Sequence, residues 1–273
     1  MQNRKKAPAG MYTAREAIAK IGVPSTNFYK LVKAGTIKGV TLPGRKEAFY
    51  SKIEIDRYAR AIQSYIDQYN EQTLTFSLAI KEDIPEIRDI VAEAVGGYER
   101  TIPQEILEAW IRKNPESIHV LHRGAEIIGY ISILPLPLGT IMDRLAGKLM
   151  NRTIPIDDIQ PFVPNKTLIL YIAEAAAKQS LPNRLRIGGK LMEEAMNFLI
   201  NLVQQQKTIA KEIYAVGTTP FGIRACRSLG FEELNIPEGT RADRIPFKLN
   251  IENSQSLLVN RYRKAIESLQ ITK

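Results

Sequence analysis

The charge of this chain is confined to one end. Residues 1–61 hold 13 Lys/Arg against 4 Asp/Glu, which is the whole of the formal net charge of +9, and the other residues hold 25 of each. So sharp a break divides the 273 residues into a short basic module and a longer neutral body. The length agrees, since it suggests about two domains.

The rest of the composition narrows the class. The chain is 44% hydrophobic and 25% charged, as globular chains are. Its longest apolar run, residues 127–138, is about a dozen residues and contains two prolines, too short and too broken to span a bilayer. No membrane partner is expected. The first ten residues, MQNRKKAPAG, are polar and basic with no apolar centre, unlike a secretory signal. Cys226 is the single cysteine, so no internal disulfide forms. These features point to a reducing, cytoplasmic setting.

Within the basic module, Thr13 and Glu16 have the spacing of a capping box and open a helix over residues 14–21. Gly22-Val23-Pro24 breaks it. Ser25 is the expected cap of a second helix running to about Lys33, with Phe28, Leu31 and Val32 inward and Ala34-Gly35 at its end. Residues 37–42 and 48–50 read as two strands around a turn, residues 43–47, with Arg45 and Lys46 at its tip. Ser51 and Glu54 form a second capping-box pattern ahead of a third helix.

Helix, turn, helix, basic hairpin, helix: over residues 11–61, including the "LPGRK…FY" wing, the sequence resembles the excisionase/MerR-like winged helix-turn-helix family. The resemblance implies a double-stranded DNA partner. The second helix would enter the major groove, with Ser25, Thr26, Asn27, Lys30 and Lys33 reaching bases and phosphates. Arg45 and Lys46 would lie along a phosphate strand or in the minor groove. The bland alternative is a small helical domain with a solvated basic face. Residues 62–72 carry no Lys, Arg, Gly or Pro and extend the third helix as a linker. Ile62, Tyr65, Ile66 and Tyr69 recur at helical spacing, either as packing against the head or body or as the seam of a homodimer.

The neutral body alternates strand and helix patterns. Residues 74–80 read as a strand, and Asp83 with Pro85 starts a helix to about Val95. Residues 103–113 form a second helix. Residues 118–122 and 127–134 form a hairpin, and residues 168–177 a further strand. A long amphipathic helix spans 187–206. It is followed by a strand over 212–216, a helix over 220–229 closed by Gly230, and a last strand over 244–250.

That order, with the stretches "IKEDIPEIRDIVAEA", "YIAEAAAKQSLPNRLRIGGKLMEEAMNFL" and "IYAVGTTPFGIRACRSLGFEEL", resembles the GNAT superfamily of acyl-CoA N-acyltransferases over residues 73–250. The expected fold class is α+β: an N-terminal winged helix-turn-helix (residues 1–61), a helical linker (62–72), a GNAT-like mixed α/β domain (73–250) with an insertion at 135–166, and a C-terminal helix (251–273).

The GNAT resemblance implies acetyl-CoA or another acyl-CoA as co-substrate, an amine acceptor and no metal. A helix N-terminus binds the coenzyme's pyrophosphate through free N–H groups, and glycine permits close approach. The family pattern Q/R-x-x-G-x-G/A falls on Asn183, Arg184, Leu185, Arg186, Ile187 and Gly188, followed by Gly189. Only Gly188 fits it cleanly, while Arg184 and Arg186 add charge. Ala175, Ala176, Ala177 and Lys178 stand where the family's strand pairs with the pantetheine arm, and three small side chains either leave room for it or pack under a helix. Thr219 and Pro220 form a cap near that arm. Glu174 matches a carboxylate that serves such enzymes as general base; otherwise it is a structural carboxyl. Cys226 occupies the place of the usual tyrosine proton donor, as an alternative acid or as a small packing residue. His119 and His122, three apart on one strand, face opposite ways and do not share a metal.

In the insertion, residues 141–150 read as an amphipathic helix and 155–164 as an extended acidic stretch. It would lie beside the acceptor cleft or act as a lid. Residues 252–270 read as a helix carrying Leu258, Tyr262, Ile266 and Leu269 on one side, capping the body or pairing with another chain. Three functions follow from the two resemblances: a DNA-binding N-acyltransferase; a transcription regulator whose body only senses acyl-CoA or a metabolite; and a toxin–antitoxin-like fusion acylating an RNA-borne or protein amine.

Overall fold

The structure, a computed structural model, describes residues 7–71, 74–181, 183–235 and 244–271. It divides into two compact units, Met1–Thr73 and Leu74–Lys273.

The first unit contains β1 (Met11–Thr13), α1 (Ala14–Ile21), α2 (Ser25–Lys33), β2 (Gly39–Thr41), β3 (Ala48–Ser51) and α3 (Lys52–Glu71). The expected cap on α1 forms: the Thr13 hydroxyl accepts from the Glu16 N–H at 3.3 Å, and the Glu16 carboxylate accepts from the Thr13 N–H at 2.8 Å. Gly22, in the left-handed region at φ 76°, ends the helix. Ser25 does not cap α2. Pro24 is the N-cap and Ser25 the first helical residue, because a proline with extended ψ already turns the chain into the helix. Met11–Thr13, unread in the sequence, pairs with β3, giving a three-stranded sheet in the order β1-β3-β2. A core of Ala17, Ile21, Phe28, Ile37, Tyr50 and Ile55 holds the unit together, with Phe28 edge-on to Tyr50 at 5.0 Å.

The second unit is a mixed α/β fold. Its elements are β4 (Leu74–Leu78), α4 (Ile84–Val95), α5 (Gln104–Lys113), β5 (Ile118–Arg123), β6 (Glu126–Pro135), α6 (Leu138–Leu145), β7 (Thr167–Ala177), α7 (Arg184–Asn201), β8 (Ile209–Gly217), α8 (Pro220–Ser228), β9 (Phe231–Glu233), β10 (Ile245–Leu249) and α9 (Leu257–Ile271). Seven strands form one sheet, in the order β4-β5-β6-β7-β8-β10-β9. Among the described residues, only β7 and β8 pair in parallel, as expected for strands joined through a helix. Alternation along the first part of β7 sends Leu168, Leu170 and Ile172 into a core shared with α7 and α9. Ile169, Tyr171 and Ala173 go into a second core shared with α4, α5 and α6.

Several boundaries differ from expectation. Asp83 does not cap α4 with its side chain; the carboxylate instead accepts from the Ile80 N–H at 2.9 Å and closes a 3-10 turn ahead of the helix. The amphipathic helix of the insertion begins at Leu138 and ends at Leu145, where Gly147 takes φ 76°; a short 3-10 turn, Asn151–Thr153, follows, and a second, Ile156–Asp158, interrupts the stretch expected to be extended. The C-terminal helix caps the body: Val259, Tyr262 and Ala265 are fully buried, and Leu258, Ile266 and Leu269 flank them. The Tyr262 hydroxyl both accepts from the Ala210 N–H (2.7 Å) and donates to the Ala210 carbonyl (3.1 Å).

Candidate active site

The sheet opens at β7. Its parallel ladder with β8 runs from Thr167–Ile209 to Ile172–Ala215 and stops, although β7 continues to Ala177. On its other edge β8 pairs with β10, from Tyr214 opposite Lys248 to Gly217 opposite Ile245. The last five residues of β7 therefore have a partner strand on one side only, β6. Two of the small residues predicted to border such an opening lie along it, Ala175 exposed and Ala176 half-buried, while Ala177 is buried in the core.

A bulge sits in the same stretch. Ser132 of β6 lies opposite Glu174, and the next residue, Ile133, opposite Ile172, so Ala173 is the unmatched residue. The bulge resets the alternation. Tyr171 and Glu174, three apart, consequently both turn toward the side of the sheet that carries α4, α5 and α6. The freed Ala173 carbonyl accepts from Asn151 Nδ2 at 2.7 Å.

Glu174 meets a polar cluster there. The Tyr130 hydroxyl donates to its carboxylate. Burial is the main cause that lifts the Glu174 carboxyl to about 7; the Tyr130 hydrogen bond, the Arg144 charge and an Asn151 hydrogen bond act against it. Burial and the Glu174 charge push the Tyr130 phenol well above its usual range. Arg144, only 6% exposed, donates through Nε to Asn151 Oδ1 at 2.6 Å and through Nη1 to the Leu149 carbonyl at 3.3 Å. Its guanidinium stands 5.8 Å over the Tyr171 ring, and the Tyr171 hydroxyl also donates to Asn151 Oδ1, at 3.2 Å. Burial lifts the Tyr171 phenol to about 12.

Sequence reasoning named Glu174 but missed Tyr130, Arg144 and Asn151. Tyr130 was hidden in a continuous apolar strand. Arg144 and Asn151 lie in the insertion, where the available signal was a cation within the expected amphipathic helix 141–150 and an amide just after it.

The start of α7 differs from a loop. The helix begins at Arg184 with Asn183 as its N-cap, so residues 184–189 form its first turns. Arg184, Leu185, Arg186 and Gly189 are exposed and Ile187 is buried. Arg184 Nη1 donates to the Gln179 carbonyl at 3.4 Å. A Cβ on Gly189 would meet nothing, whereas one on Gly188 would come within 2.5 Å of the Phe221 ring. The close approach that Gly188 permits is thus made by an aromatic side chain. The Gln179 N–H, at the end of β7, already donates to the Glu93 carboxylate at 3.0 Å. Lys178 pairs with Glu126 at 2.7 Å. A cleft at this end of the strand is lined by Glu82, Glu86, Asp89 and Glu93 with Lys178 and Ser180.

Thr219 caps α8 as expected, accepting from the Gly222 N–H at 3.0 Å. Cys226, on the same helix, packs on the apolar core, and burial lifts its thiol to about 11. His119 is 2% exposed, stacked on Phe76 at 4.9 Å and tilted against Phe198 at 4.3 Å. Among the described residues, no group of three or more His, Cys, Asp or Glu is placed to hold a metal ion, and no helix is long and apolar enough to cross a membrane.

In the basic unit, Ser25, Thr26, Asn27, Lys30 and Lys33 are all exposed on α2. Of the two cations between β2 and β3, Lys46 is exposed, while Arg45 is half-buried and folds back over the Phe49 ring at 5.4 Å. The expected seam beyond Ile62 falls on Tyr65, Ile66 and Tyr69, whose side chains lie outside the described residues.

No protein-family model matches this chain, and no curated protein matches it. Solved structures resemble it loosely. The loading GNATL domain of CurA from Lyngbya majuscula is 13% identical, over 64% of this chain and 96% of that one, with a TM-score of 0.46. Ard1 from Thermoplasma volcanium is 14% identical over 64% and 95%, with a TM-score of 0.43. The protein yncA from Salmonella typhimurium, solved with its cofactor acetyl-CoA, is 15% identical over 67% and 97%, with a TM-score of 0.41.

Proposed function

We propose that the body transfers an acyl group from an acyl-CoA thioester to an amine, and that the basic unit binds double-stranded DNA. One observation carries the first half: a carboxyl raised to about 7 stands on β7, in the stretch where that strand has parted from β8. A base with a pKa near neutrality can take a proton from an ammonium group and release it again to water.

The residues present fit an acyl-CoA in two respects and resist it in one. The edge of residues 174–176 that has no partner strand offers backbone groups to an amide-bearing arm. The exposed first turn of α7, with Arg184 and Arg186, suits an anion. Phe221 over Gly188 narrows the helix start that the glycine was expected to leave open. The bound thioester would supply the acyl group, its C–S bond breaking as the amine nitrogen forms the C–N bond. Glu174 takes one proton from the acceptor ammonium before attack. The nitrogen's second proton leaves with the sulfur as the thiol, and Glu174 returns its own proton to solvent. Tyr130, Asn151 and Arg144 hold the ionised carboxylate in place. The acidic lining of the cleft beside Lys178 favours a cationic acceptor. Cys226 is a poor proton donor at a pKa of about 11.

The test is thiol release from acetyl-CoA across amines, peptides and aminoacyl-tRNAs, with wild type and Glu174→Gln compared. Transfer by wild type that the variant loses supports the enzyme. A second reading, an acyl-CoA sensor without turnover, is favoured by the Phe221–Gly188 contact and by Glu93 occupying the Gln179 N–H. Acyl-CoA binding by calorimetry without thiol release would select it.

A further inference from the structure

The buried cation of the insertion calls for an explanation. Arg144 is almost wholly enclosed, yet its nearest acceptors are neutral: the Asn151 amide oxygen and the Leu149 carbonyl. A buried guanidinium with neutral acceptors alone is costly. The negative charge that it faces is Glu174. Between the two stands Asn151, and both ends of its amide are used. Oδ1 accepts from Arg144 and from Tyr171, while Nδ2 donates to the bulged Ala173 carbonyl. The orientation of the amide follows from these partners, since the reverse would set its NH2 against a guanidinium.

We propose that Asn151, oriented by Arg144, is a positioning residue for Glu174: it pins the Ala173 bulge that turns the carboxyl to the side of the sheet carrying α4, α5 and α6. The 135–166 insertion is then part of the reaction machinery rather than a lid. Its catalytic consequence rests on the acyl-transfer reading; the positioning itself does not. The bulge is what places two residues three apart on one side of the sheet. Its carbonyl, out of register with β6, takes its hydrogen bond from Asn151, which belongs to a different segment of chain.

The groups around the carboxyl are Tyr130 from β6, Tyr171 from β7 and Arg144 from α6. Three carboxylates on neighbouring elements have other partners. On α4, Glu86 accepts from the Ile127 N–H and Glu93 from the Gln179 N–H. On β8, Glu212 is bound to Tyr214 and Lys248.

The experiment uses the full chain with Asn151→Ala and Asn151→Asp, and reads two quantities. The first is the titration of the Glu174 carboxyl, followed by infrared difference spectra and assigned by its absence in Glu174→Gln. The second is the pH profile of thiol release. Asn151→Ala should move the carboxyl titration to higher pH, because a donor is lost and Arg144 is released. It should lower kcat about 10- to 100-fold while KM for acetyl-CoA stays within about twofold. Asn151→Asp, nearly isosteric, should move the titration further up, since it sets a second carboxylate beside the first. If both variants titrate like wild type, the proposal is overturned, even where melting temperature falls. If wild type releases no thiol with any amine, the acyl-transfer reading fails and the infrared titration alone decides the role of Asn151. Should Asn151→Ala not fold, Asn151→Asp carries the same decision.

Discussion

Tyr130 and Glu174 are diagonal neighbours on adjacent strands, the phenol donating its hydrogen bond to the carboxylate. A donor of this kind favours the ionised acid, against the burial that raises it. In the proposed reaction the ionised form is the active one, so the rate rises with pH through about 7. Tyr130→Phe should shift that rise to higher pH and lower kcat/KM at neutral pH, with little change well above it. Glu174→Gln should flatten the profile and cost about 10²–10⁴-fold. Thiol-release profiles of the three proteins check both outcomes. An unshifted profile in Tyr130→Phe would sink the coupling.

The same carboxyl has a stability consequence, and His119 has the opposite one. Glu174 has a folded pKa near 7 against an ordinary value of 4.5, so the native state holds its proton more tightly. Stability is full at low pH and falls as pH rises through 7, by at most about 3 kcal/mol. Glu174→Gln should therefore melt higher than wild type at pH 8 and equally at pH 4. His119 is lowered to about 4 by burial between Phe76 and Phe198, with neither ring nitrogen hydrogen-bonded. Its contribution is intact above 6.5 and is lost as pH falls toward 4, again by at most about 3 kcal/mol. His119→Phe, which keeps a ring in the stack, should relieve the acid loss. Urea titrations at three pH values separate the two effects.

The element order of the body was legible because its strands and helices differ sharply in period and are punctuated by glycine and proline. The Thr13–Glu16 box and the Thr219 cap were legible because a capping pair is local in sequence. The site was legible only where a side chain acts alone. Glu174 could be named, but not the bulge at Ala173 that turns it, since a bulge depends on which residues of β6 stand opposite. Asn151 and Arg144 reach the carboxyl through tertiary packing of an insertion whose helix ends five residues earlier than its apolar pattern suggests. Ser25 failed as a cap because Pro24 had already set the turn. Short strands such as Met11–Thr13 carry too few residues to show a period.

Gly188 and Phe221 form a contact that a single methyl would disrupt. A Cβ at residue 188 would fall 2.5 Å from the ring. Gly188→Ala should cost about 1–3 kcal/mol by overpacking. In Phe221→Ala the same change should cost much less, giving a coupling of at least about 0.5 kcal/mol in a double-mutant cycle. Additive effects in urea unfolding would mean that the ring moves aside freely. Phe221→Ala should also tighten acetyl-CoA binding if the ring obstructs the start of α7, and calorimetry reads that directly.

The last expectation concerns the basic unit, where charge and exposure coincide. Lys30 and Lys33 on α2 and Lys46 in the turn between β2 and β3 are exposed, and residues 1–61 of this unit sum to the chain's whole net charge. Contacts to several phosphates release counterions, so the affinity of the full chain for duplex DNA should fall at least about tenfold on a moderate increase in salt. Replacing Lys30, Lys33 or Lys46 with Ala should each flatten the log–log salt slope by about 0.9 if each meets one phosphate. Arg45→Ala should act through the fold as well, because the guanidinium lies over Phe49. Thr26 and Asn27 are the exposed neutral residues at the start of α2, where base edges would be read. Substituting them should change which sequences a random duplex pool yields, and leave the salt slope alone. Anisotropy titrations at a series of salt concentrations measure the slopes. Binding that ignores salt, or lysine variants with the wild-type slope, would remove DNA as the partner of this unit.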